Sequence, residues 1–136
     1  MKAEDVVNTM MRHDAFSRWL GIKVLEVKEG YCKLGMKIRE DMLNGFGIAH
    51  GGITYSFADS ALAFASNSWG RKSLSIETSV SHTESLHANE EIMAEAVCIQ
   101  QSEKLGHYDV KIYRVDDPAK PCALFRGIVY KTSGYW

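Results

Sequence analysis

Charge of one sign, long apolar runs and pairable cysteines are all scarce in this 136-residue chain. The formal net charge is −1 and like charges never run beyond two or three residues. The basic surface of a nucleic-acid binder is therefore absent. The most apolar stretch, Ile53 to Ala65, is interrupted by Thr54, Ser56, Asp59 and Ser60 and is too short to cross a bilayer. The N-terminus opens on Lys2, Glu4 and Asp5 without an apolar run, so no secretory signal is expected. Cys32, Cys98 and Cys122 are odd in number, far apart and without a Cys-x-x-Cys motif. That pattern fits reduced thiols in a cytoplasmic protein, acting as small apolar residues. The five histidines, His13, His50, His82, His87 and His107, form no ligand cluster, so no metal site is expected.

What is present is an ordinary globular balance, 46% apolar and 24% charged, with no repeat, linker or low-complexity tract. Residues 1–136 are expected to form one domain, with 1–20 as an N-terminal helical segment. In that segment Val6, Val7, Met10 and Met11 share a helix face, continued by Phe16, Trp19 and Leu20 after a break near His13-Asp14. Two strand patterns follow, Ile22–Lys28 and Cys32–Ile38; in the second, Cys32, Leu34, Met36 and Ile38 alternate with polar positions. From about Gly52 to Ser68 the spacing predicts a helix of roughly 25 Å, apolar nearly all round and so suited to a core. Four more strand patterns complete the chain: Ser73–His82, Ile92–Gln101, His107–Val115 and Cys122–Lys131. In the first of these, Leu74, Ile76, Thr78, Val80 and His82 read as one face, with Ser73 and Ser75 on the other. The expected class is α+β, a mainly antiparallel sheet packed around one central helix.

Asp59 is out of place in that helix. A carboxylate buried without a partner is costly, and Gly52, Ser56, Ala63 and Ser66 on roughly the same face are all small. Such a strip leaves room for another chain or a ligand. Asp59 is either a carboxylate held by backbone or by an arginine at a subunit contact, or a catalytic acid. Upstream, Gly51-Gly52 opens the helix, where unpaired N–H groups and the helix dipole suit a developing oxyanion. Asn44 and His50 flank the same place. The two glycines also make sense as a tight loop-to-helix turn; a donor-rich helix start near a buried acid is the combination acyl transfer needs.

The pattern Asn44-Gly-x-x-x-x-His50-Gly51-Gly52, followed after six residues by Asp59 and an Ala-rich helix, resembles the hotdog-fold acyl-CoA thioesterases of the phenylacetic acid degradation (PaaI) type. The resemblance runs from Ala15 to Tyr130 and includes Gly106-x-Tyr108-Asp109 and Ala123 to Gly127. It implies a curved antiparallel sheet wrapped around one long helix, dimers sharing a continuous sheet and pairing into tetramers, and active sites at the dimer interface. Asp59 of one subunit is then the general base or nucleophile. It faces Asn44, His50 and the Gly51 N–H of the other, with Gly51 polarising the thioester carbonyl. The acyl group is aryl-acetyl or hydroxylated aryl by the same resemblance, no cofactor is needed, and CoA enters as part of the substrate.

Two more positions carry over. Ser75 matches a water-orienting hydroxyl, against a plain solvent-facing strand residue. Lys104 matches the region that meets the nucleotide end of CoA, against a solvated turn lysine. The aromatics Phe46, Tyr55, Phe57 and Trp69 read as core packing, and His82 as a core or interface histidine. Where relatives carry an Arg-Pro pair, this chain has Thr83-Glu84-Ser85, which leaves its phosphate contacts open. Two other functions compete with hydrolysis: a non-catalytic acyl-CoA binder or sensor, which would not need Asp59, and a hotdog dehydratase, whose His–Asp arrangement does not match this spacing.

Overall fold

The computed structural model describes residues 1–136. Helices α1 (Ala3–His13) and α2 (Ala15–Leu20) lead into strands β1 (Lys23–Lys28) and β2 (Tyr31–Lys37). A short 3-10 turn (Glu40–Met42) and a loop precede the long helix α3 (Gly51–Asn67). Strands β3 (Arg71–His82), β4 (Glu91–Gln101), β5 (Leu105–Arg114) and β6 (Asp117–Tyr135) follow. All six strands form one antiparallel sheet in the order β1-β2-β4-β5-β6-β3.

The sheet packs on α3, which buries residues on nearly every side, among them Ile53, Phe57, Ala58, Ala61, Leu62, Phe64 and Ala65. A helix apolar all round can satisfy itself only inside a core. Cys32, Leu34, Met36 and Ile38 are buried, as their alternation predicts. At Gly127, β6 passes close to α3: a Cβ there would lie 2.5 Å from Leu62 Cδ2. The helix-in-sheet arrangement implied by the resemblance is the one observed.

Two expectations fail locally. Phe16 and Trp19 do not extend the buried face of α1. Asp14 accepts the Ser17 N–H at 2.9 Å and starts a new helix at the expected break; α2 buries Leu20 as expected, but with Ser17 in place of the two aromatics. The two aromatic rings stack on each other at the surface, 5.9 Å apart.

Nor does β3 keep one apolar face. A register shift between Ser75 and Glu77 makes Ile76 an extra residue against β6, and a bulge of this kind exchanges the faces. Before it, Ser73 points at α3 and bonds Asn67, leaving Leu74 67% exposed and Ile76 60% exposed. After it, Thr78 and His82 reach α3 through Tyr55 and Thr54. Of the four aromatics read as core, Phe57 is fully buried, while Phe46 is 90% exposed and Trp69 is also open to solvent.

Candidate active site

The sequence-predicted residues gather in three clefts around α3. His50 is the N-cap of that helix, and its Nδ1 accepts the Gly52 N–H at 2.9 Å. Nδ1 therefore carries no proton, and the neutral ring presents Nε2–H outward. The Gly51 N–H makes no hydrogen bond within the chain, and it sits at the positive end of the helix dipole. The Asn44 carbonyl oxygen Oδ1 accepts the Phe46 N–H at 2.9 Å and the Ile48 N–H at 3.4 Å. Asn44 thus shapes the loop that leads to His50 and keeps its amide Nδ2 as a free donor.

Asn44 and Gly51 line one cleft of about 270 Å³, together with Thr54, His82 and Glu84. His50 and Gly52 open on a second, beside Trp19 and Ser56. Asp59 lines a third, of about 370 Å³, with Ser75, Ala63 and Ser66. The bulge in β3 brings Ser75 to Asp59, because it turns the helix-facing set to Ser73 and Ser75 ahead of Ile76. Lys104 belongs to none of the three. It is exposed in the β4–β5 turn, where its carbonyl accepts the Lys131 N–H at 2.8 Å.

Burial raises the Asp59 carboxyl above the usual carboxylate range, and the like charge of Asp14 adds to the shift. No arginine or lysine of the same chain is ion-paired with Asp59. Asp14 is tied to the same region through serine hydroxyls. Ser17 Oγ donates to Asp14 Oδ2 at 2.6 Å and lies 2.8 Å from Ser60 Oγ, next to Asp59 in sequence.

Of the two readings of His82, core or interface, the core one does not hold: the residue is exposed and lines the Asn44–Gly51 cleft. Thr54 Oγ1 donates to the Gly51 carbonyl at 3.1 Å, so its oxygen is free to accept from His82 Nδ1, also at 3.1 Å. Nδ1 then holds the proton and Nε2 offers its lone pair beside Gly51. The signal in the sequence was the shared face of Thr78, Val80 and His82, which does turn toward α3. Glu84 stands near the same cleft and pairs with Lys120 at 3.3 Å and Arg114 at 3.7 Å, two cations that the sequence reading did not single out.

No three His, Cys, Asp or Glu side chains converge as a metal site would require, and no helix is long and apolar enough to cross a membrane. What the clefts offer chemically is a carboxylate of raised basicity, a free backbone donor at a helix start, and amide and imidazole groups beside it. These are the parts of an acyl-transfer site.

Comparison with known proteins shows the family. The family model described as the thioesterase superfamily matches residues 46–120. The acyl-coenzyme A thioesterase PaaI of Escherichia coli K12 is 32% identical over 133 residues, 98% of this chain and 94% of that protein. The structure of the E. coli PaaI protein from the phenylacetic acid degradation operon superimposes with a TM-score of 0.94 at 31% identity, covering 98% of this chain and 95% of that one. A mutant of the phenylacetic acid degradation protein PaaI from Thermus thermophilus gives a TM-score of 0.83 at 34% identity, covering 88% and 100%. A Streptococcus mutans protein bound to acetyl CoA shares the fold at 16% identity, with a TM-score of 0.80 over 85% and 91% of the two chains.

Proposed function

The chain belongs to the thioesterase superfamily, and from that premise we propose how it hydrolyses acyl-CoA thioesters to a free acid and CoA. The observation that carries the reading is a separation. Gly51 and Asp59 lie eight residues apart on one helix, about 12 Å along its axis. They open on different clefts. A reacting carbonyl needs its oxygen about 3 Å from the donor and its carbon about 3–3.5 Å from the attacking atom. One chain cannot supply both to one carbonyl; two chains with α3 helices running antiparallel can.

The site is accordingly shared between subunits. The Gly51 N–H of one polarises the thioester carbonyl, while its Asn44 amide and His50 Nε2–H position thioester and water. Asp59 of the other supplies the carboxylate, and Ser75 beside it orients the water. Asp59 acts in one of two ways. As a base it takes a proton from water, whose oxygen attacks the carbonyl carbon. As a nucleophile it attacks that carbon itself, forming an anhydride that water then opens. In both, the C–S bond breaks and CoA leaves as thiolate.

Pairing through β3 fits this arrangement. β3 is an edge strand, hydrogen-bonded to β6 alone, and Leu74 and Ile76 stand uncovered on it. An open apolar edge of this kind is a template for strand pairing. A second pairing into tetramers, an aryl-acetyl or hydroxylated aryl substrate and a cytoplasmic setting complete the proposal, on the likeness to the PaaI proteins. Lys104 is given the nucleotide end of CoA.

The test is CoA release from a panel of short, medium and aryl acyl-CoAs by the wild type and Asp59→Asn. Loss of about two or more orders of magnitude in the variant, with its oligomer intact, is expected. Binding of acyl-CoA without release by the wild type would instead favour a non-catalytic binder.

A further inference from the structure

The cleft that starts at Asp59 is a groove along α3. Asp59, Leu62, Ala63, Ser66 and Asn67 recur at helical spacing along it, and Asn67 is eight residues, or about 12 Å, beyond Asp59. At that far end stands Trp136. Its indole Nε1–H donates to Asn67 Oδ1 at 2.9 Å, and its backbone N–H donates to the Gly70 carbonyl at 2.9 Å. Lys72 Nζ lies 4.9 Å from the ring centroid, so the lysine stem extends the wall outward.

Between the two ends the groove is apolar in effect. Met10, Leu62, Leu74 and Val129 line it. Its polar side chains beyond Asp59 on α3 are already occupied: Ser66 Oγ donates to the Ala63 carbonyl at 3.3 Å. The Asn67 amide donates to the carbonyls of Ala63 and Ser73 and accepts the Ser73 N–H. A group lying there gains mainly from apolar contact, the free donors being Ser75 near Asp59 and Lys72 at the indole end. Because Asp59 must reach the thioester carbonyl, whatever is bonded to that carbonyl lies within a few ångströms of Asp59. CoA, long and charged, has to run out to solvent; the acyl group takes the walled groove.

We propose that Trp136 is the end wall of the acyl groove and sets the longest acyl group accepted, aryl or alkyl, along α3 from Asp59 to the indole. This rests on the thioesterase reading and on Asp59 as its acid.

The experiment is a series of saturated acyl-CoAs, from acetyl to palmitoyl, with kcat/KM measured for wild type, Trp136→Phe, Trp136→Ala and Ala63→Leu. In the wild type, kcat/KM should drop by about tenfold or more beyond the chain length that fills the groove. Trp136→Ala should move that break to longer chains, and Trp136→Phe, which keeps a wall but loses the indole N–H, should leave it in place. Ala63→Leu blocks the groove part-way and should move the break to shorter chains, a test that does not depend on the Trp136 variants folding. The proposal is overturned by a break that stays put in both Trp136→Ala and Ala63→Leu, by an equal loss at every chain length in Trp136→Ala, or by a wild type with no break. In each of those cases, CoA release by the wild type and its loss in Asp59→Asn would leave the thioesterase reading standing. Absence of release from every member of the series overturns both.

Discussion

The His82 imidazole stands over Gly51: its Nε2 lies 3.3 Å from the point where a Cβ on that glycine would be. The ring is held there by Thr54, whose Oγ1 is 3.1 Å from His82 Nδ1 and 3.1 Å from the Gly51 carbonyl oxygen. The peptide unit proposed to polarise the substrate is thus framed by a histidine on a neighbouring strand.

Gly51→Ala should fold and lose activity. Its methyl group meets the His82 ring closely enough that the ring must shift by a few tenths of an ångström, at the point where a carbonyl is to be received. A fall of about ten- to a hundredfold in kcat/KM is expected, with a melting temperature close to wild type. Combining it with His82→Ala relieves the crowding, so the double variant should be no worse than His82→Ala alone. Additive losses would show that the contact does not matter.

His82→Ala should lower kcat by about tenfold with little change in KM, since the ring steadies the Thr54–Gly51 turn and touches the site's edge. His82→Asn offers an amide N–H where Nδ1–H now meets Thr54 and should recover part of the loss. Equal kcat in the Ala and Asn variants, both below wild type, would assign the effect to Nε2 instead.

The pH dependence follows from Asp59. Its carboxyl is raised by burial first and by Asp14 second, and it works as the ionised form. Activity should therefore fall, as pH is lowered, at values above the ordinary carboxylate pKa of about 4. Asp14→Asn removes the like charge and should shift that acid limb downward. A limb that does not move would mean Asp14 is screened from Asp59 during turnover.

Stability should show the opposite preference. A carboxyl whose folded pKa exceeds its unfolded value stabilises the fold while protonated, and that contribution is lost as pH rises through the folded pKa. At neutral pH, Asp59→Asn should therefore melt higher than the wild type. Below the unfolded pKa of about 4 the advantage should vanish. Thermal melts at both pH values read the difference directly; a variant less stable at neutral pH would mean that ionised Asp59 has a stabilising partner across the subunit contact.

The sequence by itself determined the architecture, and the reasons are local. The all-round apolar pattern from Ile53 to Ala65 permits only a buried helix, and the alternation from Cys32 to Ile38 permits only a half-buried strand. Asp59 and Gly51 stand out as candidates too, because a lone acid in an Ala-rich helix and a Gly-Gly helix start are conspicuous against their neighbours. The tertiary structure decided the rest. One extra residue in β3, Ile76, turns Ser75 toward Asp59 and Leu74 away from the core, and nothing in the strand's composition marks where a bulge falls. The break near His13-Asp14 is legible in the sequence, but not that the new helix leaves Phe16 and Trp19 at the surface. His82 meets Gly51, and Trp136 meets Asn67, across separations of 31 and 69 residues. Such contacts depend on the register of the whole sheet around α3, which hydrophobic periodicity constrains only to a face and not to a partner.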